Sequence, residues 1–412
     1  MDLSYKVLSD IEHQLGDSWY LLDLEKFKKN YCEFKNAFVR IYPDTLISYS
    51  YKTNYIPSLC KIINEEGGYA EVVSEMEYDL AVKLGVDPLT IIVNGPYKPE
   101  RALEKFLLSG STVNLDSYTE ASVLFNLAQK FPDKFFNVGL RCNFEFSGLP
   151  ISRFGFDIEN LEFYNLVNKF HSIKNVIFKN LHCHFPNREL MLFGERTEKM
   201  LSLYKKIVHN GEPSQIDIGG GLGGKLDEFV KNQLDYDVAD YQDYANVIGT
   251  RFHNEFQHQP NKPILLLEPG TALVADTLKF VCKIVEIKKI RNQYIAITSG
   301  SKLNFHPMAS KIFLPMHVFG NMEGKRDFYE SIDISGYTCM EADYLYKNYS
   351  GYLNVGDFVI FDNVGSYSIV FKPPFILPNV PVISLNSGKL EIHKVAEDFN
   401  YIFQTYNFES RV

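Results

Sequence analysis

The sequence predicts an α/β fold, with a (β/α)8 TIM-type barrel followed by a β-barrel or sandwich domain. Eight apolar runs of strand length alternate with amphipathic stretches between residues 46 and 268. Parallel strands that are covered on both faces read as continuous apolar runs, and these runs have that character. After about residue 275 the strand-like runs are joined by Gly, Asn and Pro turns, which is typical of a β domain.

The order of these segments gives the expected domain limits. An isolated strand over residues 19–23 precedes the alternation and is expected to join the later β domain. Barrel strands are predicted at 46–52, 70–73, 90–95, 111–115, 137–142, 175–185, 214–218 and 263–268, with helices between them, for example at 56–66, 75–84, 99–108 and 118–129. Later strands are predicted at 280–290, 293–298, 331–338 and 357–361, with a helical stretch at 394–404. We expect a barrel domain over residues 26–275 and a β domain made of 1–25 and 276–412.

Composition and charge exclude several classes of partner. The chain has 412 residues, of which 45% are hydrophobic and 23% charged. This composition indicates a globular protein, and the length is too great for a single ordinary hydrophobic core. Its net charge of −9, without a basic patch among aromatic residues, argues against nucleic-acid binding. No apolar run is long enough to span a bilayer, and residues 1–6 do not open a signal peptide. We therefore expect no membrane association and a cytoplasmic location.

The cysteines and histidines do not suggest a disulfide or metal framework. The six cysteines are scattered without a CxxC pair, which suits reduced thiols in a cytosolic enzyme. His182 and His184 flank Cys183 and share one face of a strand, but no further ligand stands near them in the sequence. The sequence therefore predicts no metal site.

A lysine at a predicted strand end is the first candidate for chemistry. The run 46–51 is β-like and is followed directly by Lys52. An unpaired ammonium in apolar surroundings is costly, and burial lowers the pKa of an amine and leaves a nucleophile that can form a Schiff base with a carbonyl. The alternative is a strand-end lysine that simply reaches water, and Lys52 taken alone favours this alternative.

Other polar residues stand where further barrel strands end. They are Glu71, Ser74, His184, Gly219–Gly221 and Glu268. The carboxyl ends of barrel strands meet at one mouth, where this fold carries its chemistry. Successive glycines can bind a phosphate, a buried carboxylate can hold a pyridinium nitrogen charged, and an imidazole can stack on a ring. Taken alone, the glycines also fit a flexible turn, and the histidine also fits a core residue whose hydrogen bonds are made within the protein. With Lys52, this set describes a site for pyridoxal 5'-phosphate (PLP).

These residues fall in motifs of a known family. From about residue 17 to about residue 400 the chain resembles the barrel-type (fold type III) PLP decarboxylases, which include the diaminopimelate, ornithine and carboxynorspermidine decarboxylases. The motifs are YSYKTN (49–54) for Y-x-x-K-[AT]-N, EVVS (71–74) with Glu77 for D-x-x-S-x-x-E, LHCH (181–184) for L-H-x-H, DIGGG (217–221) for the phosphate loop, LEPG (267–270) for E-P-G, GYTC (336–339) with Asp343 for G-x-x-C-x-x-x-D, and GSY (365–367) for G-A-Y. Each motif alone is weak, but seven in the family's order are a specific match.

The resemblance implies a homodimeric amino-acid decarboxylase whose active sites are shared between subunits. Lys52 would hold the cofactor's aldehyde, His184 would stack on its ring, and Glu268 would keep the ring nitrogen protonated. Cys339 of one chain would reach the cofactor of the other and protonate Cα, the alternative for this residue being a buried apolar thiol. The other cofactor contacts that the resemblance implies are Glu71, Ser74, Gly219, Gly220, Gly221, Gly270, Thr271 and Tyr367.

The sequence departs from the family mainly where the substrate is recognised. Thr271 replaces the arginine of E-P-G-R, Asn187 replaces the serine of H-x-G-S, and Met340 replaces the acid after the cysteine, with Glu341 one place later. Because a desolvated carboxylate needs a cationic partner, we expect poor binding of diaminopimelate and a non-standard amino-acid substrate from a specialised biosynthetic pathway. The candidate substrate contacts are Arg153, Lys302, His306, Met340, Glu341 and Tyr367.

Two other functions are compatible with the sequence. One is an amino-acid racemase or epimerase on the same barrel, which needs a second base across the cofactor ring from Lys52. The other is a catalytically silent regulator, like the decarboxylase-mimicking inhibitors of polyamine control. The intact Lys52 and Cys339 argue against the silent regulator.

Overall fold

The chain folds into two compact units. The computed structural model describes residues 3–146, 150–305 and 312–408. The barrel unit comprises Lys28–Gly224 and Tyr236–Leu273, and the sheet unit comprises Met1–Phe27, Lys225–Asp235 and Val274–Val412. Within the described ranges, no helix combines the length and the apolar character that crossing a membrane requires.

Strands and helices alternate through the barrel unit, whereas strands dominate the sheet unit. The strands are β1 (Ser18–Leu22), β2 (Thr45–Ser50), β3 (Tyr69–Val72), β4 (Ile91–Val93), β5 (Thr112–Leu115), β6 (Phe136–Asn143), β7 (Phe156–Asp157), β8 (Val176–His182), β9 (Gln215–Asp217), β10 (Ile264–Leu267), β11 (Leu278–Ile290), β12 (Gln293–Thr298), β13 (Met316–Phe319), β14 (Phe328–Ser335), β15 (Tyr344–Tyr352), β16 (Phe358–Phe361), β17 (Val382–Asn386) and β18 (Lys389–Lys394). The helices are α1 (Tyr5–Leu15), α2 (Leu24–Val39), α3 (Pro57–Glu65), α4 (Glu75–Lys83), α5 (Glu100–Leu108), α6 (Tyr118–Lys130), α7 (Leu161–Ser172), α8 (Leu190–Ile207), α9 (Glu228–Lys231), α10 (Tyr241–Phe256), α11 (Thr271–Val274), α12 (Ser368–Phe371) and α13 (Phe399–Phe403), with 3-10 turns at Tyr51–Thr53, Pro88–Thr90 and Lys302–Asn304.

Eight parallel strands close the barrel. Their order is β5-β4-β3-β2-β10-β9-β8-β6, and the pairing of β5 with β6 completes the ring. In register, Leu266 of β10 lies opposite Leu46 of β2, and Val113 of β5 lies opposite Val138 of β6. The predicted (β/α)8 barrel is confirmed, and each of the predicted apolar runs overlaps one barrel strand.

Local sequence signals start several of the barrel helices. The side chains of Ser74 and Ser117 cap α4 and α6 by accepting hydrogen bonds from main-chain N–H groups in the first turn. Asp240 and Asp243 form a reciprocal capping box at α10, and Pro57 occupies the first turn of α3, where a missing N–H costs nothing. These caps place the helices directly after the loops at the barrel mouth.

The sheet unit is built around the early strand that the sequence isolated. β1 pairs antiparallel with β11 and parallel with β17, so that Ser18 lies opposite Cys282 and Tyr20 opposite Val382. The prediction that this strand joins the later β domain is confirmed. The buried core of this region includes Trp19, Val281, Phe358, Ile360 and Ile383.

Several predicted boundaries differ from the structure, and two of them show the cause. The first barrel strand was expected to run to Lys52, but its pairing with β3 ends at Ser50 and the chain then turns into a 3-10 helix. The helical stretch expected at 394–404 is only the five-residue α13, because Lys394 still belongs to β18 and pairs with Val382. In both places tertiary pairing overrides the local pattern.

Candidate active site

The site residues that the sequence predicts in the barrel unit lie at the carboxyl ends of its strands. Lys52 lies in the 3-10 turn after β2, His184 lies two residues past β8, and Glu268 follows β10 directly. The loop Gly219–Gly221 begins two residues past β9, and Glu71 lies near the end of β3. Because all the barrel strands are parallel, these ends share one face of the barrel.

Lys52 is less buried than the sequence suggested, because it lies in a turn rather than in a strand. Its side chain is 32% exposed, whereas the side chain of Glu71 is fully buried. The Lys52 ammonium forms an ion pair with Glu71, and Ser50 donates a hydrogen bond to the same carboxylate oxygen. Glu71 therefore fixes the position of Lys52 Nζ. The two groups are in direct contact, so a proton can pass between them.

Asn94, which the sequence reading missed, connects two carboxylates of the site. Its Nδ2 donates to Glu71 Oε1 at 3.0 Å and to Glu268 Oε1 at 2.5 Å. Its Oδ1 accepts from Asn114 Nδ2 at 2.8 Å, and Asn114 Oδ1 accepts from Asn180 Nδ2 at 3.0 Å. A chain of amides therefore crosses the barrel interior and ends at the carboxylates. Three asparagines within or just after apolar strands were the signal that could have revealed it.

Glu268 belongs to a buried group with His182 and Asp217. His182 Nε2 lies 3.4 Å from Glu268 Oε2. Burial, the neighbouring Glu268 carboxylate and a hydrogen bond with it raise the pKa of Asp217 well above its ordinary value. Burial opposes ionisation of Glu268 as well, but His182 and Lys52 together hold the pKa of Glu268 below its ordinary value. The two carboxylates therefore share one proton, which resides on Asp217 and leaves Glu268 charged.

The same three side chains bear on the expectation about metals. A ligand atom of His182, one of Asp217 and one of Glu268 lie within 4.8 Å of one another, a spacing that could also hold a metal ion. The folded chain therefore places two carboxylates, on β9 and after β10, beside His182 although none is near it in the sequence, and the absence of a metal site stays a prediction. No sequence pattern could have revealed this group, because its three residues are far apart in the chain.

His184 is half-buried and is held in one defined protonation state. The main-chain N–H of Gly220 donates to His184 Nδ1 at 3.0 Å, so the ring carries its proton on Nε2. Burial, with the positive charges of Lys52, Arg196 and Arg141, lowers the pKa of His184 well below its ordinary value. The ring is therefore a neutral, fixed plane at the mouth of the barrel.

The glycine loop uses part of its hydrogen-bonding capacity internally. Gly219 N–H donates to Asp217 Oδ1 at 2.8 Å and Gly220 N–H donates to His184, so these two groups orient neighbouring side chains. Gly219 and Gly221 have φ of 74° and 88°, and a Cβ on Gly219 would lie 2.2 Å from the Cys183 carbonyl oxygen. Glycine is required at position 219 by both conformation and space. The phosphate contact of this loop stays a prediction, and it would depend on the remaining N–H groups.

Arg141 of β6 is a second residue that the sequence reading missed. It pairs with Asp116 at 3.5 Å, and its Nη2 donates to the His184 carbonyl oxygen at 3.4 Å. Burial lowers its pKa, although arginine stays protonated at any ordinary pH. A lone charge within the apolar run 137–142 was the sequence signal. Arg141 adds a positive charge next to the His184 loop.

Ser74 acts as a helix cap. Its Oγ accepts a hydrogen bond from Glu77 N at 3.2 Å, and Glu77 Oε2 accepts one from Val73 N at 2.8 Å. This pair fixes the start of α4 directly after β3, which carries Glu71. Ser74 therefore has a capping role in this structure, and its contact with the cofactor stays a prediction.

Gly270 and Thr271 lie beside the Lys52 turn, whereas Arg153 lies on an exposed segment. A Cβ on Gly270 would come within 2.0 Å of Thr53 Oγ1, so the two loops touch there. Thr271 is the first residue of α11. Arg153 is exposed, and its guanidinium carbon lies 4.1 Å from the centre of the Phe154 ring.

In the sheet unit, Asp343 organises the loop that carries Cys339. Its carboxylate accepts hydrogen bonds from Thr338 N at 3.2 Å and Thr338 Oγ1 at 2.6 Å, from Ser301 Oγ at 3.1 Å and from Lys302 N at 2.7 Å. A Cβ on Gly336 would lie 2.2 Å from this carboxylate. Cys339 itself is exposed, so the expected alternative of a buried apolar thiol is wrong for this chain.

The remaining candidates of the sheet unit are exposed, half-buried or outside the described ranges. Met340 and Glu341 follow Cys339 on its exposed loop. Tyr367 has a left-handed φ of 61° and stacks on Phe371, with ring centroids 5.5 Å apart. His306 lies outside the described residues.

Comparison with known proteins identifies the family. Residues 24–275, more than half of the chain, match the family model described as "Pyridoxal-dependent decarboxylase, pyridoxal binding domain". The chain belongs to the pyridoxal-dependent decarboxylases. It is a PLP-dependent amino-acid decarboxylase, as the motif resemblance predicted.

Relatives of this decarboxylase match it over nearly its whole length. It is 25% identical to a diaminopimelate decarboxylase of Aquifex aeolicus over 96% of this chain and 93% of the relative. It is 24% identical to that of Methanocaldococcus jannaschii over 92% and 88% of the two chains. The crystal structure of the M. jannaschii enzyme superposes with a TM-score of 0.84 at 20% identity over 97% and 94% of the chains, and that of lysine decarboxylase from Selenomonas ruminantium with 0.74 at 19% over 93% and 96%.

The barrel mouth of this decarboxylase fits PLP. Lys52 offers an amine, Glu268 a charged carboxylate, and His184 a neutral ring. The glycine loop leaves no room for side chains: a Cβ on Gly220 would lie 2.6 Å from the Glu268 carbonyl oxygen and 3.4 Å from His184 Cε1. A main chain without side chains can approach a phosphate closely, and here it adjoins the imidazole and the carboxylate.

Proposed function

We propose that this chain decarboxylates a non-standard amino acid in a specialised biosynthetic pathway. The supporting observation is Thr271, which stands where the family pattern has an arginine, directly after the glycine that touches the Lys52 turn. A substrate with a second carboxylate would lack a cationic partner at this position. The whole-length similarity to diaminopimelate decarboxylases supports α-decarboxylation without transferring their substrate.

Each barrel residue has a proposed role toward PLP. Lys52 binds the aldehyde, His184 covers one face of the ring, and Glu268 holds the ring nitrogen charged. Glu71 orients Lys52 through their ion pair, and the loop 219–221 with Gly270 and Thr271 lies along the phosphate. In this assignment Ser74 acts indirectly, by starting α4 after the strand that carries Glu71.

These residues give a physical account of the reaction. When bound, PLP supplies an electron sink for the charge left at Cα by loss of CO2. The shared proton on Asp217 keeps Glu268 anionic, so that Glu268 stabilises a positive ring nitrogen. Glu71 exchanges a proton with Lys52 Nζ when the substrate amine takes its place. The neutral His184 restricts the ring to one plane and excludes water from that side.

We also propose that the active enzyme is a homodimer in which Cys339 protonates Cα at the partner's site. Two observations support this: the resemblance of the Cys339 motif, and the exposure of Cys339 on a loop held by Asp343. Met340, Glu341 and Tyr367 then face the substrate or the phosphate. Arg153, Lys302 and His306 stay candidates for the distal group. The cytoplasmic location stays a prediction from the cysteine pattern.

A decarboxylation panel tests the substrate proposal. The PLP-loaded protein is incubated with meso-diaminopimelate, lysine, ornithine, and carboxyalkylated or carrier-bound amino acids, and CO2 loss is followed by mass spectrometry. We expect kcat/KM for diaminopimelate to lie about a hundredfold or more below that for the best substrate, because an unpaired charge is costly to bury. If diaminopimelate is the best substrate, the proposal is wrong. Loss of optical rotation without CO2 release would favour a racemase instead.

A further inference from the structure

One buried arginine of the barrel unit has no part in the roles above. Arg196 lies near the middle of α8, and it is 0% exposed. Moving a guanidinium out of water is costly unless its charge and its N–H groups find partners. The contacts of Arg196 therefore indicate which structural role requires a buried guanidinium.

Arg196 donates four hydrogen bonds, all to main-chain carbonyl oxygens. Nη1 reaches the oxygens of Ile218 and Gly220, each at 3.1 Å. Nη2 reaches the oxygens of Phe185 at 3.1 Å and Asn187 at 3.4 Å. One side chain thus ties the glycine loop after β9 to the His184 loop after β8.

Aromatic rings hold the guanidinium in this orientation. Its central carbon lies 4.2 Å from the centre of the Phe193 ring and 5.6 Å from that of Phe185. Stacking of this kind suits the flat guanidinium of arginine and would be lost with the ammonium of lysine.

The positive charge of Arg196 is not neutralised by an acid. Within the part of the chain that the structure describes, Arg196 forms no ion pair, and its four acceptors are neutral carbonyl groups. Burial lowers the pKa of Arg196, but a guanidinium keeps its proton at any ordinary pH. A full positive charge therefore stands behind the glycine loop, in surroundings where charges act strongly.

The hydrogen bonds of Arg196 also orient the peptide groups of the loop. The Gly220 carbonyl oxygen is held by Arg196, whereas the Gly220 N–H donates to His184. Carbonyl oxygens would repel a phosphate, and this arrangement holds two of them against a cation instead. The loop is then free to offer its remaining N–H groups to an anion.

The sequence explains why such support is needed. Thr271 stands in place of an arginine used near the phosphate or a substrate carboxylate, and Asn187 in place of a serine that often helps with the phosphate. Arg196 binds the main chain of Asn187 itself. We propose that Arg196 is a positioning residue for the PLP phosphate, which holds both loops in place and supplies positive charge without touching the phosphate.

Three variants separate geometry, charge and overall stability. Arg196→Lys keeps a positive charge but cannot span four carbonyl groups, and Arg196→Met removes both the charge and the hydrogen bonds. Arg251→Met is the matched control, since Arg251 lies on α10, the helix packed against α8, and pairs with Glu198 at 2.9 Å on the surface.

The readout compares two ligands that differ only in the phosphate. Dissociation constants of PLP and of pyridoxal are measured by absorbance titration of each apoprotein, and apoprotein unfolding is recorded with and without inorganic phosphate. We expect PLP binding to weaken about tenfold or more in Arg196→Met and by less in Arg196→Lys, with pyridoxal binding nearly unchanged. Inorganic phosphate should stabilise the parent and the Arg251→Met control more than either Arg196 variant.

The outcome is decided by the ratio of the two dissociation constants. The proposal is supported if the dissociation constant of pyridoxal divided by that of PLP is lower in the Arg196 variants than in the parent and is unchanged in the control. An unchanged ratio, including equal weakening of both ligands, assigns Arg196 to folding alone and overturns it. Should Arg196→Met not fold, the ratio for Arg196→Lys decides the question by the same criterion.

Discussion

Asn94 shows how a single neutral side chain can hold two anions in one buried site. Its amide donates to Glu71 and to Glu268, and both carboxylates need such donors because they are out of water. Glu71 also pairs with Lys52, and the His182 ring lies next to Glu268. A neutral donor between the anions avoids a third charge, so residue type at position 94 is tightly limited.

Asn94→Asp is expected to destabilise the fold in a pH-dependent way. A third carboxylate beside Glu71 and Glu268 should lower the free energy of unfolding by roughly 3 kcal/mol at pH 8. The loss should shrink as the pH falls towards 5, because the new carboxyl group takes up a proton and can donate to its neighbours. Urea unfolding at both pH values measures this.

Asn94→Leu is the control for this prediction, since it removes the same hydrogen bonds without adding a charge. Its cost should vary less with pH than that of Asn94→Asp. If both variants lose the same stability at pH 5 and at pH 8, charge repulsion is not the reason for an asparagine at this position.

At the level of elements, the start of α4 combines a helix cap, Ser74, with a buried glutamate, Glu77, that titrates. Glu77 is 4% exposed and accepts a hydrogen bond from Val73 N, while Ser74 caps the helix. Burial is the main cause that raises the pKa of Glu77 to about 7, with the charge of Glu71 adding to it. This element therefore changes charge near neutral pH.

Glu77 should make stability fall as the pH rises. Its folded-state pKa of about 7 exceeds the ordinary value of 4.5, so the folded protein holds the proton more tightly than the unfolded chain. This contribution is fully present below pH 4.5 and is lost as the pH rises through about 7, in total on the order of 3 kcal/mol. Glu77→Gln should remove this slope, whereas Glu75→Gln, on the exposed side of the same turn, should retain it. Unfolding free energies between pH 4.5 and pH 8 measure the effect, and parallel curves for the parent and Glu77→Gln would contradict it.

The glycine loop gives a second prediction at this scale. A Cβ on Gly220 would lie 2.6 Å from the Glu268 carbonyl oxygen, so Gly220→Ala must displace the main chain of Glu268 or of the glycine loop itself. We expect the dissociation constant of PLP to rise about tenfold or more, because the main chain of the glycine loop is no longer held in the position that binds the cofactor. Gly324→Ala is the control, since nothing lies within 4 Å of its Cβ position. Equal PLP affinity in both variants would show that the loop adjusts without loss.

At the scale of the whole molecule, the proposed chemistry is divided between the two units. The barrel unit carries Lys52 and Glu268, and the sheet unit carries Cys339. If Cys339 acts on the partner's site, neither subunit alone holds a complete set of reacting groups. The dimer then becomes a requirement for activity.

Mixing inactive variants tests this sharing. Lys52→Ala and Cys339→Ala should each have very low activity, but their heterodimer would contain one intact site. Random pairing should restore about one quarter of the parent activity. Lys52→Ala mixed with Glu268→Ala should restore nothing, because each site then lacks a barrel residue. Absence of recovery in the first mixture would assign Cys339 to its own subunit or to no catalytic role.

Much of the fold was readable because it depends on local pattern. Apolar runs of strand length indicated every barrel strand, and the early strand around Trp19 was correctly assigned to the sheet unit. The end of β2 was misplaced because the partner strand, and not the residues themselves, determines where pairing stops. Asn94, Arg141 and Arg196 were missed because their roles depend on residues far away in sequence.

By itself, the sequence determined the barrel, the family and the cofactor, because motif order and hydrophobic period are properties of the chain. Only the tertiary structure decided the charge pattern of the site. It placed Lys52 in a turn against Glu71, gave the proton of the buried carboxylate pair to Asp217, and fixed the tautomer of His184. These features arise from burial and from distances between separate strands, which no linear pattern encodes.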